Sequence, residues 1–240
     1  MRGLVRVGAA VPSLALGNVK ENMKRHLAMM REAKEKHVSI VTFPELSLTG
    51  YTCGDLFFQR RLLDDVTDAL LALKDEMPEG ILAVVGAPLE IEGALYNCAV
   101  VLHKGEIISA VPKTFLPNNG EFYEKRWFQS GDARRDASAA IPKLKTDVCR
   151  QAIFETEDGV RFGIELCEDL WAPLPPSTML SVEGAEIILN LSASNELLSK
   201  REYRQQLISQ QSARCQCGYV YAGAGYGEST TDLVFSGYAG

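Results

Sequence analysis

Mostly apolar runs of a few residues alternate with longer segments of helical period along this chain, which restricts it to β-sheet covered by helices. Leu4–Val11, Val38–Phe43, Ile81–Ala87, Glu186–Leu191 and Tyr219–Ala224 read as buried strands, the second stopped by Pro44. Asn18 is placed to cap a helix whose apolar positions, Val19, Met23, Leu27, Met30 and Ala33, step by three and four. The same period runs from Gln59 to about Glu76 through Leu62, Leu63, Val66, Leu70, Leu71 and Leu73, until Pro78-Glu79-Gly80 breaks it. Two more helices are predicted near Ser177–Glu183 and over about Lys200–Cys217.

Between the first strands and the last, the rhythm changes. Leu95–Leu102 and Glu106–Val111 flank His103-Lys104-Gly105, and Gln151–Phe154 and Val160–Leu166 flank Glu157-Asp158-Gly159; both read as hairpins. Thr114–Thr146 is polar and aromatic with weak periodicity, and a loop that long inside a domain is usually functional. The residue pattern alone implies one domain over 1–240, an α/β fold with a mixed sheet covered by helices on one face.

Composition narrows the function classes. The chain is 46% hydrophobic and 23% charged, enough to bury a core without disulfide or metal staples. The net charge of −6 comes with no basic stripe, so nucleic acid is not an expected partner. No apolar stretch reaches the roughly 18 residues of a membrane span. Met1–Arg6 leads straight into a strand-like run with no secretory signal, and a cytoplasmic location is expected. The six cysteines are then expected to be reduced thiols. Cys215-Gln216-Cys217 has no second ligand pair nearby, so no metal is expected. His26, His37 and His103 are scattered, so a nucleophile here would have to rely on a carboxylate base.

Three segments each put a reactive side chain just after a strand: Glu45 in Phe43-Pro44-Glu45-Leu46, Lys113 in Val111-Pro112-Lys113-Thr114, and Cys167 in Ile164-Glu165-Leu166-Cys167-Glu168. Strand ends are where sheet proteins gather ligands. A thiol with an ordinary pKa of about 8.5 attacks as the thiolate. A carboxylate can take its proton and pass it on to a leaving amine, and an ammonium can stabilise a tetrahedral oxyanion. That trio suits amide hydrolysis. Each residue also has a structural reading, as a solvated carboxylate, a surface lysine and a small core cysteine. Spacing alone does not choose between the two.

In order, approximate spacing and flanking residues, the three segments resemble the nitrilase (carbon–nitrogen hydrolase) superfamily. The resemblance covers essentially the whole chain and implies an αββα sandwich, with Glu45 as general base, Lys113 as oxyanion stabiliser and Cys167 as nucleophile. Phe122-Tyr123-Glu124 followed by Phe128-Gln129-Ser130-Gly131-Asp132 is similar to that superfamily's loop after the lysine. It implies that Glu124 helps position the lysine and the attacking water.

A narrower resemblance is carried by Glu45-Leu-Ser-Leu-Thr-Gly-Tyr-Thr-Cys-Gly-Asp-Leu-Phe57, Cys167-Glu-Asp-Leu-Trp171, Asn190-Leu-Ser-Ala-Ser194, Ser212-Ala-Arg-Cys215, Tyr219-Val-Tyr221 and Glu228-Ser-Thr-Thr-Asp-Leu-Val-Phe235. These look like the glutaminase domains of glutamine-dependent NAD synthetases. The resemblance implies L-glutamine as substrate. Tyr51, Phe122, Glu168 and Ser194 would line its pocket, with Lys200 near its α-carboxylate. It further implies no cofactor in this domain, a C-terminal synthetase domain as partner that uses ATP and Mg, and face-to-face homo-oligomers. Two departures stand out. Asn119 occupies the position aligned with a pocket tyrosine, which bears on glutamine affinity. The Ser-Gly-Gly-x-Asp-Ser phosphate loop of a synthetase is absent, since Ser130-Gly131-Asp132 lacks the second glycine and final serine; a chain truncated at its C-terminal end is therefore expected. Two other readings are a stand-alone amidase or carbamoylase of the same superfamily, and a catalytically silent assembly module.

Overall fold

The computed structural model describes residues 4–133 and 138–240; residues 1–3 of the Met1–Arg6 opening and residues 134–137 of the Thr114–Thr146 stretch lie outside the described residues. Strands β1 (Val7–Ala9), β2 (Ile40–Thr42), β3 (Leu82–Ile91), β4 (Ala94–His103), β5 (Glu106–Pro112), β6 (Ser138–Ile141) and β7 (Thr146–Cys149) form a seven-stranded sheet ordered β1-β2-β3-β4-β5-β7-β6. A second, four-stranded sheet is ordered β11-β10-β9-β8, from β8 (Ile153–Glu155), β9 (Arg161–Leu166), β10 (Ile187–Ser192) and β11 (Gly218–Gly223). Helices α1 (Val19–Glu35) and α2 (Arg60–Glu76) cover the first sheet, and α3 (Pro176–Val182) and α4 (Lys200–Cys215) the second. The chain is thus a four-layer αββα sandwich rather than one mixed sheet with a single helical layer.

The second sheet was hidden from periodicity because the strands between two layers are apolar on both faces. In β3, Ala83, Val85 and Ala87 pack toward α1 and α2, while Leu82 and Val84 alternate with them into the core between the sheets. That inter-sheet core joins Ile40, Val101 and Val111 to Phe162, Ile164, Leu189 and Leu191. Both predicted hairpins are present as antiparallel pairs, β4–β5 and β8–β9. A third hairpin, β3–β4, turns on Glu92 and Gly93, both at positive φ as a two-residue hairpin turn requires. The long stretch after Lys113 is not all loop: β6 and β7 pair antiparallel, and β7 joins β5 at Ala110↔Val148.

Helix α1 begins as its sequence specifies, with the Asn18 side chain accepting the Glu21 N–H at 3.2 Å. Its inward face includes two polar residues, Asn22 and His26, whereas Met23 is only partly buried. The Asn22 amide donates to the carbonyls of Ala15 (2.9 Å) and Leu48 (3.1 Å), anchoring the loop that follows Glu45. His26 Nδ1 lies 2.8 Å from the Asn22 carbonyl, so that nitrogen carries the proton, and Nε2 meets Ser47 Oγ at 2.9 Å. Burial holds this imidazole down at about 4, against a smaller upward pull from the Asn22 carbonyl. An unfolded histidine titrates near 6.5, so the neutral ring supports the fold fully above that pH and progressively less as pH falls toward 4. From pH 7 to 5 the parent should lose about 2 kcal/mol relative to His26→Gln, read from urea midpoints of the two proteins.

Candidate active site

Glu45 is delivered by the end of β2, two residues after Phe43, whose N–H still bonds to Val84 of β3. The chain then reverses, with Leu46 at φ +51°. Gly86 of β3 makes this turn possible: a Cβ there would lie 2.3 Å from Leu46 N and 2.4 Å from the Pro44 carbonyl oxygen. Both obstacles are backbone and cannot rotate away. Gly86→Ala is therefore expected to displace the Glu45 loop and cost about 3 kcal/mol or more, measured as a lowered urea midpoint together with loss of activity.

Glu45 is fully buried. Its Oε1 accepts from Lys113 Nζ at 2.5 Å and from Asn97 Nδ2 at 2.7 Å, while Oε2 has no hydrogen-bond partner. Asn97 also accepts the Lys113 N–H on its own carbonyl at 2.8 Å, so one β4 residue holds both members of the pair. Lys113 follows β5, which runs in the same direction as β2: β2 is parallel to β3, and two antiparallel pairings, β3–β4 and β4–β5, restore that direction. Their carboxyl ends therefore meet at one edge.

Lys113 Nζ also donates to Glu124 Oε1 at 2.6 Å, and that oxygen accepts the Tyr51 hydroxyl at 2.7 Å. Burial alone would push the ammonium down, but the charges of Glu124 and Glu45 outweigh it and hold Lys113 well above the ordinary lysine range. Glu124 responds oppositely: burial pushes it up to about 7, with Lys113 pulling down and Glu45 pushing up. One ammonium thus serves two buried carboxylates.

Cys167 follows β9 at φ +43°, a left-handed conformation unusual for a side chain of this size. The turn aims the residue out of its strand at the head of a short 3-10 turn, Cys167–Trp171. Only 6% of the residue is exposed. Burial and then the Glu45 charge push the thiol up to about 12, opposed by Lys113 and by hydrogen bonding to Ser192 and the Ala193 backbone. At rest the group is a thiol whose proton must leave as it attacks.

The structure brings Glu45, Lys113, Glu124, Tyr51 and Cys167 into one buried cluster. Phe122 sets its ring edge-on to Tyr51 at 6.2 Å. Lys200, at the start of α4, lies over the rings of Phe122 (5.8 Å) and Trp171 (5.5 Å) and donates to Asn195, which in turn donates to Glu121. Glu168 is half-buried beside Lys113, Glu124 and Lys200. Ser194 is buried just past β10, beside the Tyr221 hydroxyl. Asn119 stands apart: it is exposed, and its carbonyl accepts the Phe122 N–H. Two cavities flank the cluster. One of about 140 Å³ is lined by Tyr51, Glu121, Phe122, Trp127, Asp232 and Leu233; another of about 410 Å³ is lined by Thr114, Phe115, Glu168 and Trp171.

Four contributors were not singled out from sequence. Asn97 was discernible as the lone amide in the apolar run Leu95–Leu102. Glu228, fully buried with Oε2 accepting the Tyr51 N–H at 2.6 Å, sits in a quoted motif but 177 positions away. Asp169 and Tyr221 also lie in quoted segments, where neither spacing nor polarity marks them. Among the described residues, no group of three or more His, Cys, Asp or Glu is arranged to hold a metal ion, and no helix is long and apolar enough to cross a membrane.

Residues 6–239 match the carbon–nitrogen hydrolase family, so this chain, an αββα sandwich with a buried carboxylate, ammonium and thiol at converging strand ends, belongs to that family. Within it, the chain is 40% identical over 241 residues to the glutamine-dependent NAD(+) synthetase of Mycobacterium tuberculosis, covering 98% of this chain and 35% of that protein. It is 30% identical over 196 residues to the Homo sapiens protein of the same name, covering 78% and 28%. It thus spans about a third of the length of the curated relatives it matches. Among solved structures, a glutamine-dependent NAD(+) synthetase from Cytophaga hutchinsonii superposes with TM-score 0.87 at 28% identity, over 99% of this chain and 38% of that one. An amidase of the nitrilase superfamily from Nesterenkonia shares the fold, with TM-score 0.78 at 16% identity over 100% of this chain and 82% of that one.

Proposed function

We propose that this chain hydrolyses the side-chain amide of L-glutamine to glutamate and ammonia through a thioester on Cys167. The observation that carries the reading is the asymmetry of Glu45: Lys113 and Asn97 both bond to Oε1, leaving Oε2 a buried acceptor with no donor. Such an oxygen is poised to take the thiol proton as sulfur attacks the amide carbon. The oxyanion then forms beside the Lys113 ammonium, whose charge Glu124 helps to fix. Glu45 returns the proton to the leaving nitrogen, ammonia departs, and water attacks the thioester with a carboxylate of the same cluster as base.

No cofactor enters these steps. Similarity to longer glutamine-dependent NAD(+) synthetases supports a partner synthetase domain that uses the released ammonia, with ATP and Mg, to amidate deamido-NAD. We further propose that the protein is cytoplasmic and assembles as a homo-oligomer. Phe122, Glu168, Ser194 and Lys200 would bind the amino-acid end of glutamine, while Asn119, exposed and apart from them, would contribute little to that pocket. A panel of amides tests the substrate: glutamine should release ammonia at least tenfold faster than aliphatic amides or N-carbamoyl compounds. The reverse order would support a general amidase.

A further inference from the structure

We infer that Asp169 is a positioning residue which sets the separation of Lys113 and Cys167 by holding both of their chain segments on one carboxylate. Asp169 is buried, 1% exposed, two residues past the thiol in the 3-10 turn. Its Oδ1 accepts the N–H of Phe115 at 2.7 Å and of Thr114 at 3.1 Å, the two residues that follow Lys113. Its Oδ2 accepts the N–H of Leu166 at 2.9 Å, the residue that precedes Cys167. The ammonium and the thiol belong to different sheets, β5 in one and β9 in the other. The core between those sheets is apolar, and apolar contact fixes how far apart layers sit without fixing how one slides over the other. Hydrogen bonds are directional, so the Asp169 carboxylate supplies a constraint along the strands at the end where Lys113 and Cys167 meet.

Register matters here because the thiolate that forms must lie against Lys113, amid the negative charges of Glu45 and Glu124 and beside Tyr51, Tyr221, Glu168 and Lys200. Lys113 is the cation that opposes Glu45 at the sulfur. Asp169→Asn keeps the shape of the side chain but turns one acceptor into an NH₂ that faces backbone N–H groups, donor against donor. The segments must then part, and the thiolate loses the favourable charge of Lys113.

The inference rests on reading Cys167 as the nucleophile, so the test follows the thiol itself rather than turnover. The rate of Cys167 alkylation by iodoacetamide is measured by peptide mapping between pH 6 and 10 in the parent, in Asp169→Asn and in Leu170→Ala. Leu170→Ala removes packing from the same turn without touching the carboxylate. Asp169→Asn should slow Cys167 at least tenfold below pH 9 and move its profile to higher pH, while Leu170→Ala lowers the urea midpoint but keeps the parent profile. Asp169→Ser, which leaves a single hydroxyl, should behave like Asp169→Asn and serves if that variant does not fold. Superimposable profiles for the parent and either Asp169 variant would overturn the inference while leaving the nucleophile reading intact. A parent Cys167 no more reactive than Cys98 would overturn both.

Discussion

Cys167→Ala is expected to abolish glutamine hydrolysis, with a fall of about 10⁴-fold or more, because the proposed route forms its only covalent intermediate on that sulfur. Binding should persist, since the surrounding charges of Lys113, Lys200 and Glu168 do not depend on the thiol. Stability offers an independent reading of the same site. Cys167 is held at φ +43°, a conformation that costs a non-glycine residue about 1–3 kcal/mol. Cys167→Gly is equally inactive but free of that cost, so it should be more stable than Cys167→Ala by about 1 kcal/mol. Equal urea midpoints for the two variants would show that the turn is not strained, and residual hydrolysis within a hundredfold of the parent would place the nucleophile elsewhere.

Lys113→Met should have the largest effect on the fold. It leaves Glu45 and Glu124, both buried, without the ammonium that each contacts. Removing one partner from a buried ion pair typically costs about 3–5 kcal/mol. The sign of the pH dependence follows from Glu124, which burial already holds up at about 7 with Lys113 present. An unfolded glutamate titrates near 4.3, so between that pH and 7 the folded protein binds more protons than the unfolded one, and stability falls as pH rises. Without Lys113 the carboxylate must move higher still. The variant's urea midpoint should therefore drop more steeply than the parent's from pH 5 to 8. A midpoint independent of pH would mean that the carboxylates find solvent or another cation.

Much of this site was legible before the fold because its three reactive groups sit at strand ends, two of them directly after Pro, and strand ends are what apolar runs mark best. The helices were legible for the same reason, with α2 beginning within one residue of its expected start. What hydropathy concealed was the second interface. Strands such as β3, apolar on both faces, give the same signal whether one layer or two lies against them. The side chains that arrange the site were hidden differently. Asn97, Asp169 and Glu228 act through backbone groups or single oxygens of residues far along the chain. No local pattern encodes such a contact; only the closed sandwich reveals it. Asn119 illustrates the converse, a position made notable by resemblance that is exposed and stands apart from the cluster.

A glutamine-specific thiol at Cys167 would be marked by 6-diazo-5-oxo-L-norleucine, a glutamine-shaped electrophile whose adducts mass spectrometry locates. A single adduct is expected, mapped to the peptide that carries Cys167 and suppressed by excess glutamine. A Cys167 that a general alkylating reagent modifies but this reagent does not would contradict it, leaving a reactive thiol in a pocket shaped for another amide.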